Sequence, residues 1–277
     1  MDNFFIHFVL CNITIGLFVL ILLCMKRIFK HCLTPRMQFN LWIPFTISLL
    51  VPFLPVSFST LSTKMQDLFH PLAHFSHTVH TTNTSEYTSS STNQIYDYAI
   101  SMRTQFPVYI STIFCVIWGI GMFVMLFSFV RSLVLLHHMR RTANLMQDKR
   151  IHDIYMTCLS ELQLRKSIPL YSSSIIDTPV STGILRPAIF LPLHHISNFE
   201  EQEIRYILLH ELMHCYYKDA IFNYCMNIIR ILYWFHPLIW LITKEFYTER
   251  ELACDTSVLR LLGANEQISY GVTLLHF

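Results

Sequence analysis

Charge is scarce in this chain. Of its 277 residues, 14% are Asp, Glu, Lys or Arg and 53% are hydrophobic, whereas soluble domains average about 25% charged. That composition points to a membrane protein. The formal net charge of +2 provides no basic footprint for nucleic acid. Paired cysteines are also missing. Cys11, Cys24, Cys32, Cys115, Cys158, Cys215, Cys225 and Cys254 form no C-x-x-C, and none lies in the one long polar segment. A disulfide framework is therefore not expected, and buried apolar thiols are the better reading. No basic region precedes the first apolar run and no A-x-A-like site follows it, which argues against a cleaved signal peptide.

The apolar runs that remain are of bilayer length. Residues 4–25 form the first expected span. Lys26, Arg27, Lys30 and Arg36 follow it and place that short loop in the cytoplasm, hence the N-terminus outside. Residues 39–58 form a second span, where Pro44, Pro52 and Pro55 predict kinks. Residues 59–105 are rich in Ser and Thr and read as an outer loop. In it His70, His74, His77 and His80 recur at near-helical spacing, most simply as a polar helix face. Residues 107–130 form a third span, with Gly119 and Gly121 expected to serve close packing. Arg131, Arg140, Arg141, Lys149 and Arg150 then hold the remainder in the cytoplasm. The expected division is a transmembrane region, 1–136, and a cytoplasmic domain, 137–277.

Within the second part, 138–166 has helical periodicity and reads as one long helix. Short strand signals follow at 168–171 and 188–191, joined through the turn 182–187, as in a small hairpin. Ala188, Ile189, Phe190 and Leu191 are candidates for an edge against which an extended substrate lies. Ser197 and Glu200 read as a capping box opening a helix that runs from about Phe199 to Tyr217. That helix carries His210-Glu211-Leu212-Met213-His214, an H-E-x-x-H motif. Residues at i and i+4 share a helix face, so His210 and His214 can hold one Zn²⁺ and Glu211 can act as general base on a water.

Residues 219–243 are long and apolar enough to span once. A single crossing would put the two imidazoles and the acidic run Glu249–Asp255 about 30 Å apart. His236-Pro237 breaks the pattern, so the expectation is a helical hairpin, 219–235 and 237–262, bedded in the inner face of the membrane. On it Asn223, Asn227 and Arg230 would be costly against lipid. Glu251 is the expected third zinc ligand, ahead of Glu249, Glu245 and His236. Asp255, one turn on, is expected to fix the tautomer of a ligand histidine. The last residues, Leu274 to Phe277, stop in mid-pattern, as in a piece of something longer.

The stretches Ser181–Pro192 (STGILRPAIFLP), Glu203–Asn223, Tyr233–Pro237 (YWFHP) and Glu249–Asp255 (ERELACD), with the order of the spans, resemble the BlaR/MecR β-lactam sensor-transducers. These are membrane-embedded zinc metalloproteases of Gram-positive bacteria. The resemblance implies a mainly α membrane protein with three transmembrane helices and a gluzincin-like cytoplasmic domain. It also implies ligands His210, His214 and Glu251 with Glu211 as base, location in a bacterial cell membrane, and contact with membrane lipid. In such receptors a further span and a penicillin-binding sensor with Ser-x-x-Lys follow, and the activated protease cuts itself and removes a cytoplasmic repressor. This sequence contains no Ser-x-x-Lys; Ser62 and Lys64 are wrongly spaced. A homo-oligomer fits the same reading. The alternatives are a silent scaffold with structural zinc, or a housekeeping membrane protease of quality-control type, which shares H-E-x-x-H and E-x-x-x-D.

Overall fold

A computed structural model describes residues 2–29, 32–50, 108–164, 166–192 and 199–275. The outer segment with its four histidines, residues 51–58 of the second expected span, and Ser197 lie outside the described residues. The described elements are α1 (Asp2–Phe29), α2 (Pro35–Asn40), α3 (Trp42–Leu50), α4 (Val108–Thr142), β1 (Asn144–Leu145), α5 (Lys149–Glu161), β2 (Leu170–Ser173), β3 (Val180–Thr182), β4 (Ala188–Pro192), α6 (Glu201–Tyr217), α7 (Asp219–Leu232), α8 (Pro237–Leu262), a 3₁₀ turn (Ala264–Glu266) and α9 (Gln267–Leu275). The protein is mostly helical with one small sheet.

The chain divides into two compact units. Residues 1–13 and 50–117 form the first, of which the described part is helical. Residues 14–49 and 118–277 form the second, which carries everything discussed below. Phe39 and Trp42 are fully buried and set their rings against Phe246 of α8, so α2 and α3 belong to the body that holds the motif helix.

Thr112–Thr142 is, by length and composition, the one segment among the described residues able to cross a bilayer. Its Ile120, Phe123, Phe127 and Leu135 are exposed. Of the two glycines expected to pack, Gly121 does so. A Cβ there would lie 2.1 Å from Trp234 Cε2, so the indole seats directly on the backbone, while Gly119 faces open space. Trp118 Nε1 donates to the Leu232 carbonyl and Trp234 Nε1 to the Trp118 carbonyl, both at 3.2 Å. These bonds tie α4 to the corner between α7 and α8. Pro237 is the first residue of α8, where its missing N–H costs nothing.

Three expectations need correction. The helix expected over 138–166 is two helices. Asn144 and Leu145 leave the helix to pair with Ser172 and Tyr171, and Asp148 restarts it by accepting from the Arg150 amide at 2.8 Å. The expected hairpin of 168–171 with 188–191 is a parallel pair, β2 with β4, in a sheet of order β1-β2-β4-β3. The hairpin is β3 with β4. Its turn needs Gly183 at φ +105°, where a Cβ would meet the Arg186 carbonyl at 2.5 Å. Finally, the capping box of α6 is Glu200 with Glu203, whose carboxylate accepts from the Glu200 amide at 2.9 Å.

The core gathers on α6. Ile204, Leu208, Leu209 and Leu212 are buried against α5, the sheet, Cys254 and Val258 of α8, and Tyr270 of α9. The motif helix is thus clamped on several sides, which leaves its two histidines only one way to face.

Candidate metal centre

α6 ends at Lys218, whose backbone is left-handed at φ 56° and ψ 38°. That conformation costs a non-glycine residue roughly 1–2 kcal/mol, and it lets α7 begin at once with Asp219. The Asp219 carboxylate, 2% exposed, turns back onto the last turn of α6 and meets His214 Nδ1 at 2.8 Å. Arg36 Nη2 lies 3.7 Å from its other oxygen. On the neighbouring imidazole, His210 Nδ1 lies 3.1 Å from Asp255 Oδ1 and 3.0 Å from Tyr270 Oη, and the Tyr270 hydroxyl donates to Asp255 at 2.9 Å. Both Nδ1 atoms therefore face carboxylates and carry protons, which assigns the lone pairs to Nε2.

The two Nε2 atoms are 3.1 Å apart. Glu251 Oε2 completes a triangle, 3.5 Å from His210 Nε2 and 3.3 Å from His214 Nε2. Three lone pairs aimed at one point repel unless a cation sits among them. Ligand atoms of a tetrahedral zinc with bonds of about 2.0–2.1 Å lie roughly 3.3–3.4 Å from each other, which matches this triangle. The electrostatics express the same demand. Burial favours the neutral imidazoles, but hydrogen bonds outweigh it: from Asp255, Cys254 and Glu251 on His210, and from Asp219, Cys254 and Glu251 on His214. His210 is held well above the ordinary range and His214 is raised to about 11. Burial would raise Glu251, yet the two imidazoles and Arg250 hold it well below the usual carboxylate range.

Arg250 fixes which oxygen of Glu251 points inward. Its Nε and Nη2 donate to Oε1, the Nε bond at 3.1 Å, and its Nη1 donates to Asn223 Oδ1 of α7. Oε2 is left for the centre. Glu211, 8% exposed, lines the same cleft.

The other expected competitors are elsewhere. Glu249 Oε2 accepts from Lys26 Nζ and, at 2.7 Å, from Trp42 Nε1. Glu245 is exposed on α8. His236 caps the start of α8, roughly 22 Å along the axis from Glu251 at 1.5 Å per residue. Cys254 approaches the centre as well, and with His210 and His214 it forms a cluster of metal-ligating types. Its Sγ, however, lies 3.8 Å from His210 Nδ1 and donates to the His210 carbonyl at 3.5 Å. It stands behind the ring and not on the Nε2 side, so Glu251 fits the third position better.

The strand Ala188–Leu191 is not the edge expected from the sequence. β4 is paired on both sides and all five of its residues are buried. The edge strands are β1 and β3, and β3 is the one at the motif helix. Val180, Ser181 and Thr182 line a cleft of about 590 Å³ together with His210, Glu211 and His214. Reading the sequence missed β3, Asp219, Tyr270 and Arg250. For Asp219 the available signal was an acid just beyond the end of the motif helix; for Tyr270 and Arg250 local sequence carried none.

The chain covers less than half the length of the characterised proteins it resembles. It is 30% identical to the regulatory protein BlaR1 of Bacillus licheniformis over 278 residues, 100% of this chain and 46% of that protein. It is 25% identical to the methicillin resistance mecR1 protein of Staphylococcus aureus over 248 residues, 86% of this chain and 40% of that one. The regulatory protein BlaR1 of Staphylococcus aureus matches at 22% over 92% of the chain and 43% of its own length. Residues 6–277 match the model of the BlaR1 peptidase M56 family, and the chain belongs to that family.

Proposed function

We propose that this chain is the zinc-dependent endopeptidase part of a bacterial membrane receptor for β-lactams. The observation that carries the reading is the triangle of His210 Nε2, His214 Nε2 and Glu251 Oε2, with separations of 3.1–3.5 Å and both Nδ1 atoms facing carboxylates, buried Asp219 and half-buried Asp255. Bound zinc would supply Lewis-acid polarisation of a peptide carbonyl and would acidify a water. The chain's own residues do the rest. Asp219, Asp255 and Tyr270 hold the imidazoles in one tautomer and orientation. Arg250 keeps Glu251 turned inward. Glu211 takes the proton of the attacking water and returns it to the departing amine. β3 offers its free edge to an extended peptide.

A structural zinc in a silent scaffold would normally be closed by four ligands. The further candidate among the described residues, Cys254, faces the wrong nitrogen, which favours the enzyme. In this reading α4 crosses the membrane, with α1 and the segment 39–58 as further spans. The N-terminus is outside, the peptidase faces the cytoplasm, and the α7–α8 hairpin beds in the inner leaflet. The substrates are the receptor itself and a cytoplasmic repressor, and the inducing ligand is bound by a sensor domain of the longer relatives. Homo-oligomerisation belongs to the same proposal.

The test is Glu211→Gln, which keeps the shape and removes the base. Zinc content should be unchanged and peptide cleavage should fall by at least about 10²–10⁴-fold. Near-parental cleavage by this variant would overturn the enzyme reading.

A further inference from the structure

A second cavity, of about 370 Å³, runs between α4 and α7. It shares Ser181, Thr182, Ala220 and Asn223 with the cleft at the metal centre, so the two spaces adjoin at β3. Asn223, Asn227 and Arg230 recur at i, i+4 and i+7 and form one stripe along α7. Ser128 and Ser132 face them from α4. This is a polar groove in a region otherwise built from apolar side chains.

Arg230 is the unexplained group in it. Among the described residues Arg36, Arg205 and Arg250 each have a carboxylate partner, and Arg230 has none. Its Nε is buried without a hydrogen bond, and its guanidinium lies against Trp240, 4.6 Å from the ring centroid. A half-buried cation with a buried, unbonded Nε and no anion beside it is unfavourable, and an arginine held on an aromatic face presents its remaining donors as a fork suited to a carboxylate. The groove lacks that carboxylate.

The spacing says where the carboxylate belongs. Asn223 marks the metal end, because its Oδ1 accepts from the arginine that holds Glu251. From Asn223 to Arg230 the helix rises roughly 10 Å, the length of about three extended residues. We infer that the groove is an extension of the substrate cleft in which Arg230 binds the side-chain carboxylate of an Asp or Glu three or four positions from the bond to be cut. Asn227, Ser128 and Ser132 supply hydrogen bonds to the strand between. The inference rests on the peptidase reading above and adds a specificity to it.

The experiment uses the full chain in lipid nanodiscs loaded with zinc. It digests a randomised dodecapeptide library, and cut sites are read by mass spectrometry. In parallel the Glu211→Gln chain captures the same library without cutting. Asp and Glu should be enriched at one position three or four residues from the cut, and in the captured pool. Arg230→Gln should reduce that enrichment on the order of 10–100-fold, Arg230→Lys should keep part of it, and Arg230→Glu should reverse it toward Lys and Arg. Zinc content checks that each variant is folded. Cleavage with no acidic preference, or a preference that survives Arg230→Gln and Arg230→Glu, overturns the inference and leaves the peptidase reading standing. Capture with an Arg230-dependent acidic preference but without parental cleavage supports the groove and defeats the peptidase. Neither capture nor cleavage defeats both. If Arg230→Gln instead lowers the phosphatidylglycerol retained by the purified chain and leaves peptide preference unchanged, the site holds a lipid phosphate and the inference is wrong.

Discussion

Lys26 of α1 pairs with Glu249 of α8, two residues before the carboxylate that faces the imidazoles. The side chains are 8% and 17% exposed, and Trp42 Nε1 donates to the same carboxylate oxygen. The C-terminal end of the first helix is thereby joined to the helix that carries Glu251.

Removing one member of a buried pair leaves the other uncompensated, at a cost of about 3–5 kcal/mol. Lys26→Met and Glu249→Leu should each lower the thermal midpoint by roughly 6–20 °C, and the double variant should recover much of the loss. Equal midpoints for the single and double variants would show that the pair is not coupled. Zinc content should be retained throughout, because Glu249 does not face the metal centre.

Asp219 holds His214 from the Nδ1 side of its ring. Asp219→Asn keeps the shape and removes the charge opposite His214 Nδ1, and zinc affinity should fall about 10–100-fold. Tyr270→Phe should cost less, since Asp255 still reaches His210 Nδ1 at 3.1 Å. Chelator competition measures both. An affinity unchanged in Asp219→Asn would mean that His214 is oriented by the helix alone.

Arg140, near the end of α4, donates to the carbonyls of Thr182, at 3.3 Å, and Arg186. It pins the turn that sets the free edge of β3. Arg140→Ala should raise KM several-fold while leaving zinc content and the thermal midpoint near parental values. A fall in zinc content would show that the turn supports the centre rather than the substrate edge.

Much of this was legible in residue order, for reasons that particular residues make plain. His210 and His214 declare a shared face because helix periodicity is strict, and His236-Pro237 declares the corner because proline cannot continue a helix. The interruption at Asn144-Leu145 carries no Gly or Pro, so the apolar period ran straight through it. β3 is three residues long and only half-buried, too short and too polar to register as a strand. Two apolar strands with a turn between them therefore passed for a hairpin. Asp219 reaches His214 only because Lys218 adopts a left-handed backbone, and nothing in a lysine announces that. Tyr270 arrives from a separate helix, through packing that local sequence does not encode.

The central claim is the ligand set, and metal content tests it most directly. Zinc per chain, measured by atomic absorption after dialysis, is compared for the parent, Glu251→Ala, Glu249→Ala and Cys254→Ser. The expected result is stoichiometric zinc in the parent, in Glu249→Ala and in Cys254→Ser, and almost none in Glu251→Ala. Full zinc in Glu251→Ala beside an empty Cys254→Ser would contradict it and give the third position to the thiol.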